Sequence, residues 1–114
     1  MKIKRIILIA SLVLPTQVPA EVLPYSECDR PVQHIWTNFE LPPQVWVTFS
    51  DGGSSIYKNT NLITEDQLNR FASFALTAQT TGKKLRVRYP ETGLVCPPQG
   101  DARSDTKGIW IVEQ

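Results

Sequence analysis

The sequence predicts a mainly β domain with one helix, which lies between the third and fourth of five strands. Three observations predict it. Short runs of alternating or β-branched residues are separated by Pro- and Gly-rich turns. A single stretch, Thr64 to Gly82, carries helical spacing with a signal at each end. At 114 residues, 41% hydrophobic and 20% charged, the chain has room for one domain of ordinary globular composition.

Residues 1–20 read as a secretory signal peptide. Lys2, Lys4 and Arg5 precede an apolar run, Ile6 to Leu14, which Pro15 breaks. Val18 and Ala20 supply the short residues expected at −3 and −1, placing cleavage before Glu21. The run is shorter than the roughly 20 apolar residues a membrane span needs. The alternative is an uncleaved anchor. No later stretch is long and apolar enough to span, so the expected product is residues 21–114, one domain, secreted or periplasmic. Cys28 and Cys96, an even pair in a small exported chain, predict one disulfide. Closing that loop would stabilise the fold by roughly 4 kcal/mol in chain-entropy terms.

Residues 21–31, with Pro24 and Pro31, read as an extended arm tied down by Cys28. Val32 to Phe39 is β-branched and aromatic and predicts a first strand, stopped by Pro42-Pro43. Gln44 to Phe49 predicts the second, with Val45, Val47 and Phe49 on one face and Trp46 and Thr48 on the other. Ser50 to Ser54 is a glycine-containing turn, and Ser55 to Asn59 the third strand, paired to the second as a hairpin. A helix follows over Glu65 to Thr81. Thr64 and Gln67 form a capping box, Glu65 and Asp66 suit the positive end of the helix dipole, and Gly82 ends it. Its predicted apolar stripe is Leu68, Phe71, Ala72, Ala75 and Leu76, widened by Phe74. Lys83 to Tyr89 is the fourth strand, with Leu85, Val87 and Tyr89 opposite Lys84, Arg86 and Arg88. A long loop, 90–107, leads to a fifth strand, Gly108 to Glu113, apolar enough to be covered on both faces. This order is that of the OB-fold, a five-stranded Greek-key barrel that binds oligosaccharides or oligonucleotides. An open α+β sandwich is the other architecture it allows.

Composition and spacing exclude several functions. Without residues 1–20 the formal charge is −2, which argues against a nucleic-acid partner. His34 is the single histidine and both cysteines are assigned to the disulfide, so no nucleophile–base set is recognised and no enzyme is predicted. Two Cys and one His fall short of a structural zinc set, and Asp101 and Asp105 read as solvated loop acids, so neither metal nor cofactor is expected. Asp51-Gly52-Gly53-Ser54-Ser55 lacks the lysine and helix of a phosphate-binding loop.

Two features point to binding. Arg86 and Arg88, with Lys84, make a basic stripe on one strand face. It reads either as an anion-binding surface or as charges that are solvated or paired with acids of a neighbouring subunit. Trp36 and Trp46 project away from the face of Val45 and Val47, where they serve either as platforms for a sugar ring or as packing groups. Trp110 reads as core. The candidate ligand-binding residues are therefore Trp36, Trp46, Arg86 and Arg88.

The segment Leu68 to Tyr89, LNRFASFALTAQTTGKKLRVRY, followed by Cys96 and a terminal apolar strand, resembles small exported bacterial proteins similar to the binding (B) subunit of subtilase cytotoxin. In that group an Ala- and Leu-rich helix ends in a Thr-Gly turn, here Thr81-Gly82, and runs into a basic alternating strand, here Lys84 to Arg88. The resemblance implies an OB-fold, a homo-pentameric ring, glycan recognition on a cell surface and a catalytic partner subunit. The serine-centred sialic-acid site of the toxin subunits has no residue-by-residue counterpart here and is not carried over. The second functional class is a periplasmic interaction protein, an inhibitor or accessory subunit, that uses the same surface against a protein.

Overall fold

The computed structural model describes residues 23–113; the predicted leader and its cleavage point lie outside them. Six strands and one helix follow in the order β1 Ser26–Arg30, β2 Val32–Thr37, β3 Gln44–Phe49, β4 Ile56–Asn59, α1 Glu65–Thr81, β5 Lys84–Tyr89 and β6 Gly108–Val112. They form two antiparallel three-stranded sheets, ordered β1-β5-β6 and β2-β3-β4. The mainly β, one-helix class holds. The five-stranded count does not, and the described strands make two sheets, not one closed barrel.

The extra strand is β1, within the segment that reads as an arm. Its sequence, Ser-Glu-Cys-Asp-Arg, carries almost no apolar signal, yet it alternates: Cys28 and Arg30 are buried while Asp29 is exposed. Pro31 separates β1 from β2. Proline has no N–H for a ladder, so the chain changes partners there, β1 pairing with β5 and β2 with β3. One segment thus serves both sheets. A parallel bridge between Ile56 and Arg103 ties the 90–107 loop to β4.

The core is built from the two inward faces predicted by alternation, Val45, Val47 and Phe49 of β3 and Leu85, Val87 and Tyr89 of β5, joined by Ile56 of β4. The helix closes it with Leu68, Phe71, Ala75 and Ala78. Its capping box forms as read, Thr64 accepting from the Gln67 N–H while Gln67 accepts from the Thr64 N–H. Gly82 ends it at φ 72°, a conformation in which a side chain would be strained. The stripe is narrower than predicted, since Leu76 and Phe74 are exposed. β6 is an edge strand, half-buried throughout and not covered on both faces, and Trp110 lies outside the core.

Cys28 and Cys96 are disulfide-bonded across 68 residues. The bond pins the 90–107 loop to β1. Arg103 anchors the same loop through paired hydrogen bonds to Glu91 and Asp105, with its guanidinium 5.0 Å from the centre of the Tyr89 ring.

Candidate ligand-binding surface

On β2, β3 and β4 the outward residues Trp36, Trp46 and Tyr57 stand directly opposite one another. Opposed aromatic side chains on neighbouring strands stack, and these do. Trp36 and Trp46 lie 5.5 Å apart at 12°, and Trp46 and Tyr57 lie 4.4 Å apart at 10°. Trp46 is therefore covered on both ring faces, and its indole N–H donates to the Gln44 side chain at 2.9 Å. Trp36 ends the ladder on an edge strand and is 47% exposed. The ladder makes it a rigid ring with one face toward Trp46 and, among the described residues, no aromatic stacked on the other.

The rest of this sheet face is polar, with no Lys, Arg, Asp or Glu at its outward strand positions. His34 pairs with Thr48, and Gln44 with Asn59, on the same side as the rings. The set offers amide, hydroxyl and imidazole groups around an aromatic centre. Beyond Trp36, the β2–β3 connection exposes Phe39 fully and Leu41 at 89%.

The other two predicted site residues are on the other sheet. Arg86 donates twice to Asp29, at 2.6 and 2.9 Å, and Arg88 twice to Glu27, at 3.0 and 2.7 Å. Asp29 and Glu27 are the cross-strand partners of these arginines on β1. The hydrogen bonds from Arg86 hold the Asp29 carboxyl below its ordinary value. Both guanidiniums also approach Trp110, within 5.8 and 5.4 Å of its centre, and Arg88 lies 3.9 Å from the centre of the Tyr25 ring. Trp110 thus stands on the outer face of this sheet, beneath the basic stripe. Trp36 and Trp46 share one surface, and Arg86 and Arg88 share another. The acids that pair with Arg86 and Arg88 belong to this chain, and Lys84, the third member of the stripe, forms no ion pair among the described residues.

Between the two sheets lies a group that sequence reading missed. Arg30 is wholly buried and donates to both Asp51 carboxylate oxygens at 2.9 Å, to the Ser54 carbonyl at 2.6 Å and to the Tyr89 hydroxyl at 2.8 Å. Its guanidinium sits 3.9 Å from the centre of Phe49. Burial opposes ionisation of Asp51, but hydrogen bonds from Arg30 and the Gly53 N–H outweigh it and hold the carboxyl below its ordinary value. Gly53 is required here: a Cβ would collide with Arg30, and would lie 2.6 Å from Pro97 Cβ and 2.7 Å from the Pro98 carbonyl. The glycine turn that superficially resembles a phosphate cradle is the socket of a buried ion pair. An Asp-Gly-Gly turn after a strand, with an unexplained arginine upstream, was the available signal.

Among the described residues no three His, Cys, Asp or Glu gather as metal ligands, and no helix is long and apolar enough to cross a membrane. Fold and surface define a small disulfide-bonded β domain with an aromatic ladder on one sheet and a self-paired charge ladder on the other. Comparison with protein-family models, curated proteins and solved structures returns no match.

Proposed function

We propose that this is an exported, non-catalytic binding module that recognises glycans through the β2–β3–β4 face, with Trp36 as the contact platform. The observation that carries it is the stacked ladder ending in a half-exposed tryptophan. A pyranose ring has a C–H-rich face that packs on an indole, and neutral amide and hydroxyl neighbours supply directional hydrogen bonds. Trp46 and Tyr57 stiffen the platform, which lowers the ordering cost of binding. The lack of Lys or Arg at the outward strand positions of this face favours neutral sugars over sialylated ones. Arg86 and Arg88, already paired with Asp29 and Glu27 respectively, have a lesser part.

The segment 26–37 serving both sheets, with the helix placed before β5, supports an OB-type reading and with it the likeness to toxin B subunits. A homo-pentameric ring and a catalytic partner subunit belong to the same proposal, and the solution mass of the purified protein tests the ring. The disulfide fits a secreted or periplasmic location. A glycan panel tests the recognition claim. Wild type should bind a subset of neutral glycans, and Trp36→Ala should lose them while melting close to wild type.

Phe39 and Leu41 favour a second reading, in which the same face receives a protein. Binding to a protein partner that depends on Phe39 and Leu41, with no glycan bound, would move the assignment to an inhibitor or accessory subunit.

A further inference from the structure

A second concavity lies between the helix and the start of β6, on residues the aromatic face does not use. It is an open groove of about 270 Å3, near the lower end of the small-ligand range of roughly 300–1,000 Å3. Its apolar lining is Ile63, Phe71, Phe74 and Ile109. Its charged lining is Lys58, Arg70 and Lys107, and no carboxylate lines it. Among the described residues neither Arg70 nor Lys107 forms an ion pair. Asp105, the acid that acts on Lys58, is engaged by Arg103.

Lys58 is the built part of the groove. Its ammonium donates to the Ser104 and Thr106 carbonyls at 2.7 and 2.8 Å, which fixes it in place and uses two of its three protons. Burial, joined by repulsion from Lys107, pushes this ammonium below its ordinary value even against the pull of Asp105. An incoming anion would relieve that repulsion. The exposure of Phe74, unexpected for a helix residue next to the core stripe, leaves an aromatic wall beside the cations.

We propose that this groove binds a small anionic amphiphile, a carboxylate or phosphate monoester on a short alkyl or aryl body. The anionic head pairs with Lys58, Arg70 and Lys107, and the apolar body lies on Phe71 and Phe74. The three cations without a lining acid select the sign of the ligand, the aromatic wall selects an apolar body, and the volume limits its length.

The test is titration of the full disulfide-bonded protein with octanoate and octyl phosphate, followed by amide chemical shifts. Octylammonium and acetate serve as charge and chain controls. At least one octyl anion should bind at sub-millimolar concentration and shift residues of α1, 106–109 and Lys58, with both controls at least tenfold weaker. The Arg70→Glu/Lys107→Glu variant should lose at least tenfold in affinity with its melting temperature retained, and Phe74→Ala should weaken the octyl anions without affecting acetate. Trp36→Ala should change nothing here, which separates this site from the glycan face. Equal binding of octylammonium, shifts confined to other surfaces, undiminished binding by the double variant, or binding of an acidic peptide but of neither octyl anion would overturn the proposal.

Discussion

On the β2–β3–β4 sheet the outward positions that face each other across the strands carry Trp36, Trp46 and Tyr57; on the β1–β5–β6 sheet the equivalent positions carry Glu27 with Arg88 and Asp29 with Arg86. Both are cross-strand pairs, but they leave their surfaces in different states. Each arginine of these pairs already donates twice to the acid across the strand, so an anionic ligand must compete with an internal partner for it. A stack of rings satisfies its inner members and leaves the end ring an apolar face in water. If the proposed glycan face is the binding face, charge density is a poor guide to it, and the end of an aromatic ladder is the better one.

The largest effect should come from breaking the joint between the two sheets. Asp51→Ala leaves the buried Arg30 guanidinium uncompensated and should cost about 3–5 kcal/mol in denaturant unfolding. The acid form of the same test has a definite sign. The Asp51 carboxyl titrates below its ordinary value of 3.8 in the folded state, so its contribution is complete above about pH 5 and is lost as pH falls through that value toward the folded pKa. Asp51→Asn should lower stability at neutral pH and flatten this acid limb.

Next in size is the disulfide, which staples only the charged sheet. Reducing Cys28–Cys96 should cost about 2–4 kcal/mol. Amide exchange should then rise first in β1 and the 90–107 loop, while the β2–β3–β4 sheet stays protected. Equal loosening of both sheets would show that they are not separable in the way their surfaces suggest.

Trp46→Ala should cost about 2 kcal/mol, the loss of two ring stacks and of a half-buried indole. It should also weaken ligand binding indirectly, by freeing Trp36. The smallest effect is expected for Asp29→Asn, which removes a solvent-exposed pair that salt already screens. Its melting temperature should stay close to wild type at physiological salt.

Most of the fold was legible. Capping chemistry and a Gly stop mark both ends of the helix in the sequence, and the clean alternation of Val45, Trp46, Val47, Thr48 and Phe49 marks β3, so sequence and structure give the same bounds for both. β1 was not legible by hydrophobic pattern, since its inward residues are a cysteine and an arginine. Its signal was charge: Glu27 and Asp29 two apart match Arg86 and Arg88 two apart, as antiparallel partners should. That match assigns the arginines to acids of this chain, where the stripe alone allows an anion site or a neighbouring subunit's acids, and it turns the expected arm into a strand of the second sheet. Of the four candidate site residues, alternation placed Trp36 and Trp46 on the correct outer face. That Trp46 is sandwiched and Trp36 is the free end depends on strand order, which no local pattern encodes.

The comparison is tested most directly by calorimetric titration of the best glycan from a panel into wild type, Trp36→Ala and Arg86→Ala at low and physiological salt. The account predicts at least a tenfold loss for Trp36→Ala, wild-type affinity for Arg86→Ala, and no salt dependence. Full binding by Trp36→Ala, or a salt-dependent loss in Arg86→Ala, would contradict it and return the site to the charged sheet.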